Sequence, residues 1–145
     1  MYQHILVPTD GSDLAGRAVT HGLSLAKFAG AKVTAITVQE RVPGWLSFAE
    51  TGAAAACAKY EEEIKKHSAS VLDRVANEAK QSGVTCDTIQ AQGVPYEAII
   101  ATATDRGCDL IVMASHGRSG LSAMVLGSVT NKVLTHAKTP VLVVE

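Results

Sequence analysis

Residues 109–128 read DLIVMASHGRSGLSAMVLGS and hold three structural parts in order. Leu110-Ile111-Val112-Met113 is a short apolar run, the pattern of a strand covered on both faces. From Ala114 the chain turns small and polar, with glycines at 117, 120 and 127. Gly127-Ser128 then opens a helical period that reaches about Ala137. A buried strand that empties through a glycine-rich loop into a helix is the repeating unit of a parallel α/β sheet.

The same alternation extends to both ends of the chain. Ile5-Leu6-Val7, closed by Pro8, predicts a first buried strand. From Ser12 the period is helical, with Leu14, Ala15, Ala18, Val19, Leu25, Ala26 and Ala29 on one face. Ser12 is placed to cap that helix, Asp13 suits its positive end, and Gly30 stops it. A strand follows over Val33 to Val38, then a helix over about Tyr60 to Ser82 that Gly83 ends. The alanines at 53 to 56 extend that helix backwards. Val84 to Ala91 alternates with polar residues and reads as a half-exposed third strand. Pro95 begins a helix carrying Tyr96, Ile99, Ile100 and Ala103, and Pro140 to Val144 is a closing apolar strand.

This order predicts one open parallel sheet with helices on both faces, over residues 1–145 as one domain. The polar third strand suits a sheet edge. The fifth strand is almost wholly apolar, and as an edge it invites pairing with a second copy. Residues 39–59 form a connection longer than usual, in which Trp45 and Phe48 suit either a lid or a turn covering a sheet edge.

Thirteen basic and fourteen acidic side chains leave a formal charge of -1, so no bulk field recruits nucleic acid or an acidic membrane. A polyanion must be met by local geometry. No apolar stretch approaches the roughly 18 residues of a membrane span, and the amino terminus lacks a secretory pattern. Cys57, Cys86 and Cys108 are odd in number and lack metal-ligand spacing, which reads as reduced thiols. A cytoplasmic protein is expected.

Ligands of open parallel sheets bind beyond the carboxyl ends of the strands. The residues to weigh there are Pro8-Thr9-Asp10-Gly11-Ser12, Val38-Gln39-Glu40 and the loop from Ala114. Glycines let a backbone approach a ligand or adopt positive φ. Successive amides form nests for phosphate oxygens, and a helix amino terminus favours negative charge. Ser119, Ser122, Ser128 and Thr130 add hydroxyls, and Arg118 a guanidinium fork. The same residues also suit plain turns, with Ser128 as a helix cap. Neither a Walker A loop nor a Gly-x-Gly-x-x-Gly fingerprint is present.

Across essentially its whole length the chain resembles the universal stress proteins of the ATP-binding kind. The resemblance rests on Gly117, nine residues and Gly127-Ser128, flanked by Ser115-His116 and Val129-Thr130. Pro8-Thr9-Asp10 and the closing Thr139-Pro140-Val141-Leu142-Val143-Val144 carry it further. It implies a Rossmann-like sheet in the order 3-2-1-4-5, and a homodimer through the fifth strand. It also implies that ATP, or AMP or ADP, is held with Mg²⁺. Adenine would lie near Val38, and Asp10 would face the ribose or a metal carried by the phosphates. Ser115, His116, Gly117 and Arg118 would line the ribose and α-phosphate, and Gly127, Ser128, Val129 and Thr130 the distal phosphates. The first glycine of the family pattern is Ala114 here, whose methyl is expected to weaken binding without abolishing it.

Two other readings stay open. A slow nucleotide hydrolase would use Asp10, a metal and His116, although no carboxylate lies near His116 in sequence to orient it. A dimeric interaction protein would leave the site unused because of Ala114.

Overall fold

The computed structural model describes residues 1–41, 53–117 and 126–145. Trp45, Phe48, Arg118, Ser119, Gly120 and Ser122 lie outside them. The elements are β1 (His4–Pro8), α1 (Asp13–Ala29), β2 (Lys32–Gln39), α2 (Ala53–Ser82) and β3 (Cys86–Gln92). They continue with α3 (Pro95–Asp105), β4 (Leu110–Ala114), α4 (Ser128–His136) and β5 (Val141–Val144). Every strand pair is parallel, in the order β3-β2-β1-β4-β5. The expected sheet and both expected edges are therefore present.

Strand alternation divides the core in two. Ile5, Val7, Val33, Ala35, Leu110 and Val112 meet α1 through Val19, Leu23 and Ala26, and α2 through Leu72, Val75 and Ala79. Leu6, Ile36, Ile111 and Met113 meet α3 through Ile99 and Ala103, and α4 through Val133. All of β4 is buried, as its unbroken apolar run requires, whereas β3 exposes Asp87, Thr88, Gln90 and Gln92.

Local chemistry sets the helix ends. Ser12 Oγ accepts the Ala15 N–H at 3.2 Å, and Gly30 closes α1 in the left-handed region at φ 68°. The alanine run does lengthen α2, which starts at Ala53. Ser128, a candidate cap in the sequence, is the first helical residue of α4, and Gly127 holds the cap position in extended geometry.

The three cysteines are free thiols. Burial pushes the Cys108 thiol up to about 11, so it behaves as a small hydrophobe. Among the described residues no helix is long and apolar enough to cross a membrane.

Candidate functional site

The order of the strands puts a crevice above β1 and β4, since β1 leads into α1 on one face and β4 leads towards α4 on the other. The β1 side of this crevice is a tightly bonded turn. Thr9 N–H donates to the Ile36 carbonyl at 2.9 Å. Its hydroxyl accepts the Gly11 N–H at 3.2 Å, while Asp10 Oδ1 accepts the Ser12 N–H at 2.9 Å. Asp10 thus does serve the turn before α1. Its other oxygen, Oδ2, lies where a side chain on Gly117 would have to go. The fold thereby brings together the ends of β1 and β4, which are more than a hundred residues apart in sequence.

On the β4 side, two adjacent residues clamp the glycine-flanked segment at its base. Ser115 N–H donates to the Val144 carbonyl at 2.9 Å, and Ser115 C=O accepts the Gly127 N–H at 2.7 Å. The Thr130 hydroxyl donates to the Ala114 carbonyl at 2.7 Å. Ser115 Oγ and His116 Nδ1 are 3.2 Å apart. A Cβ on Gly127 would sit 3.0 Å from His116 Cα and 3.2 Å from the Ser115 carbonyl oxygen. Gly117 and Gly127 are both outside the positive-φ region. Close approach, not backbone handedness, is what requires glycine at both.

Thr130 is only 3% exposed, and its hydroxyl is bonded to the strand. It therefore does not act as the phosphate-facing hydroxyl expected from the sequence, because a buried donor with a carbonyl partner has no second proton to give. Its backbone N–H remains one of the first-turn amides of α4.

The amino terminus of α4 differs from those of α1 and α3. The α1 terminus has the Ser12 side-chain cap and Asp13 in its first turn. That of α3 has Pro95 in place of one free amide and Glu97 as an acidic neighbour. The α4 terminus has neither a side-chain cap bond nor an acidic residue. Helical geometry leaves the amides of Ser128, Val129 and Thr130 without acceptors inside the helix. The residues present therefore fit a phosphate group.

Val38 stands at the end of β2, partly buried against the face it shares with Ile36 and Met113, and in register with Ala91 of β3. This is an apolar ledge beside the crevice. On the opposite face, a cleft of about 300 Å³ is lined by Asp13, Leu14, Arg17, Ser115, His116 and Glu145. A broader depression of about 710 Å³ runs along α1 alone and gathers no groups from the strand ends. Among the described residues there is no cluster of His, Cys, Asp or Glu able to hold a metal by itself.

Sequence reasoning brought Pro8, Thr9, Asp10, Val38 and residues 114–117 and 127–130 to one end of the sheet, where they are found. It missed the clamp made by Ser115 and Thr130, and the place of Arg17 and Glu145 beside His116. A helix residue and a chain end carry no local signal of what they will face.

Comparison with known proteins agrees with this fold. The profile of the universal stress protein family matches residues 1–145. Universal stress protein MJ0531 of Methanocaldococcus jannaschii is 36% identical over 145 residues, covering 100% of this chain and 83% of its own length. Universal stress protein UspA from Lactobacillus plantarum superposes with a TM-score of 0.85 at 26% identity, over 99% of this chain and 98% of its own. A universal stress protein solved in complex with cAMP superposes with a TM-score of 0.70 at 28% identity, covering 99% of this chain and 96% of its own. The chain belongs to the universal stress protein family.

Proposed function

We propose that the chain is a cytoplasmic, regulatory adenine-nucleotide-binding protein, with residues 1–145 as one nucleotide-binding domain and ATP as the preferred ligand. The observation that carries this reading is the amino terminus of α4, which has no side-chain cap among the described residues and is held beside the end of β4 by the Ser115–Gly127 and Thr130–Ala114 hydrogen bonds. First-turn amides in such a place give local positive potential, which a chain of net charge -1 needs in order to hold a polyanion.

In this reading the amides of Ser128, Val129 and Thr130 hold the distal phosphates, beside Gly127, whose own N–H is given to the Ser115 carbonyl. Ser115, His116, Gly117 and Arg118 line the ribose and α-phosphate. The base lies on the ledge at Val38, and Pro8, Thr9 and Asp10 close the β1 side, with Asp10 Oδ2 facing the ribose or a nucleotide-bound Mg²⁺. The related structure with cAMP supports an adenine nucleotide as the ligand class. The open apolar edge at Val141–Val144 supports a homodimer.

A thermal-unfolding series with ATP and Mg²⁺ tests the binding. Ligand at one hundred times its Kd is expected to stabilise the fold by about 2.7 kcal/mol. An unchanged midpoint in excess ATP and Mg²⁺ overturns the reading. Mass spectrometry of small molecules that co-purify with the chain identifies the nucleotide.

A further inference from the structure

The cleft on the α1 face carries charges of both signs that do not meet one another. Asp13 and Arg17 reach it from the first two turns of α1, Glu145 from just beyond β5, and Leu14 adds an aliphatic wall. Asp13 and Arg17 stand four residues apart on one helix, the spacing at which opposite charges ordinarily pair. Yet among the described residues the only ion pair joins Lys66 to Glu62 of α2, at 3.6 Å. Two carboxylates and one guanidinium therefore line one concavity, none of them within an ion-pair distance of another.

The fold does not need these groups where they are. Asp13 suits the positive end of α1, but Ser12 Oγ already takes the Ala15 N–H there, so the carboxylate is not required as a cap. Arg17 and Glu145 are exposed, so a ligand reaches them from solvent without moving the core. At about 300 Å³ the cleft is at the small end of ligand pockets, a size for one molecule of amino-acid dimensions.

We propose that this cleft binds a free basic α-amino acid such as lysine or arginine. The ligand has one negative and two positive groups, the complement of the one positive and two negative groups in the lining. Its α-carboxylate meets the planar donor fork of Arg17. Its α-ammonium and side-chain cation are shared between Asp13 and Glu145, and its methylene stem lies along Leu14. A dicarboxylic amino acid would bring like charges together, and an inorganic anion would leave both carboxylates unanswered. Exposed contacts are individually weak and screened by salt, so a Kd of about 0.1–1 mM is expected. The proposal does not rest on nucleotide binding.

Amide chemical shifts of the full chain, followed by NMR as lysine is added, test it. Saturable shifts are expected at Asp13, Leu14, Arg17, Ser115 and His116. Norleucine lacks the side-chain cation and cadaverine lacks the carboxylate, and each is expected to bind about tenfold more weakly than lysine. Arg17→Gln is expected to weaken lysine about tenfold without weakening cadaverine, whereas Glu145→Gln weakens both. Both side chains are exposed, so neither change threatens the fold. No saturable shift up to about 10 mM lysine overturns the site, as does norleucine binding as tightly as lysine. A tenfold loss of ATP affinity in Arg17→Gln also overturns it, because the guanidinium would then belong to the nucleotide.

Discussion

Gly117 and Gly127 show how one hydrogen atom in place of a methyl can determine a site. Asp10 Oδ2 occupies the space a Gly117 side chain would need, so Gly117→Ala is expected to displace the carboxylate and weaken ATP binding about tenfold. In an Asp10→Ala background the same change should cost far less, and a double-mutant cycle by calorimetry measures the difference. Ala114 stands differently. It belongs to β4, has no positive φ, and by alternation sends its methyl to the α1 face with Leu110 and Val112. The first-turn amides of α4 lie across the other face. Ala114→Gly is therefore expected to change the ATP Kd by less than about threefold, while lowering stability by about 0.5–1 kcal/mol. An affinity gain well beyond threefold would show that the methyl does crowd the ligand. The sequence marked these positions by spacing, but not why they matter, because the atoms they avoid come from distant segments.

Among the elements, α4 gives the clearest contrast between pattern and packing. Its start was legible in Gly127-Ser128 and its end at about Ala137. The lack of a side-chain cap was not, because Ser128 has the right residue type one position too late to cap. Thr130 was likewise legible as a hydroxyl near the helix start, yet packing turns it to the Ala114 carbonyl. Thr130→Val keeps the shape and removes the donor, leaving a buried carbonyl short of a partner. It is expected to destabilise the fold by about 1–3 kcal/mol in denaturant titration. Thr130→Ser should restore most of that loss. In α1 and α2, where local signals and packing agree, the observed boundaries follow Ser12, Gly30, the alanine run and Gly83.

At the scale of the whole molecule, the end of the sheet opposite the site is tied by His4. Its Nδ1 lies 3.1 Å from the Arg106 carbonyl and therefore carries the proton, since a carbonyl only accepts. Nε2 then accepts from the Thr34 hydroxyl at 2.7 Å. Burial, with Lys32 nearby, lowers its pKa below 6.5. Between that lowered value and 6.5 the unfolded chain binds a proton the folded chain does not, so stability falls as pH drops through this window. The slope approaches about 1.4 kcal/mol per pH unit at most, and unfolding of His4→Gln between pH 7 and pH 5 should lack that component. Asp109 acts at lower pH: burial pushes its carboxyl up, but the N–H groups of Gln3 and His4 outweigh this and leave it lowered. The stability it adds is present above the ordinary carboxylate range and is lost as pH falls towards its folded pKa. By itself the sequence determined the strands, helices, parallel class and polar end of the sheet, because hydrophobic period and turn chemistry act within a few residues. Only the tertiary structure decided that Asp10 meets Gly117, that Ser115 joins β5 to α4, and that Thr130 faces inward. Those outcomes depend on which distant backbones pack within hydrogen-bonding reach, and no local pattern carries that distance.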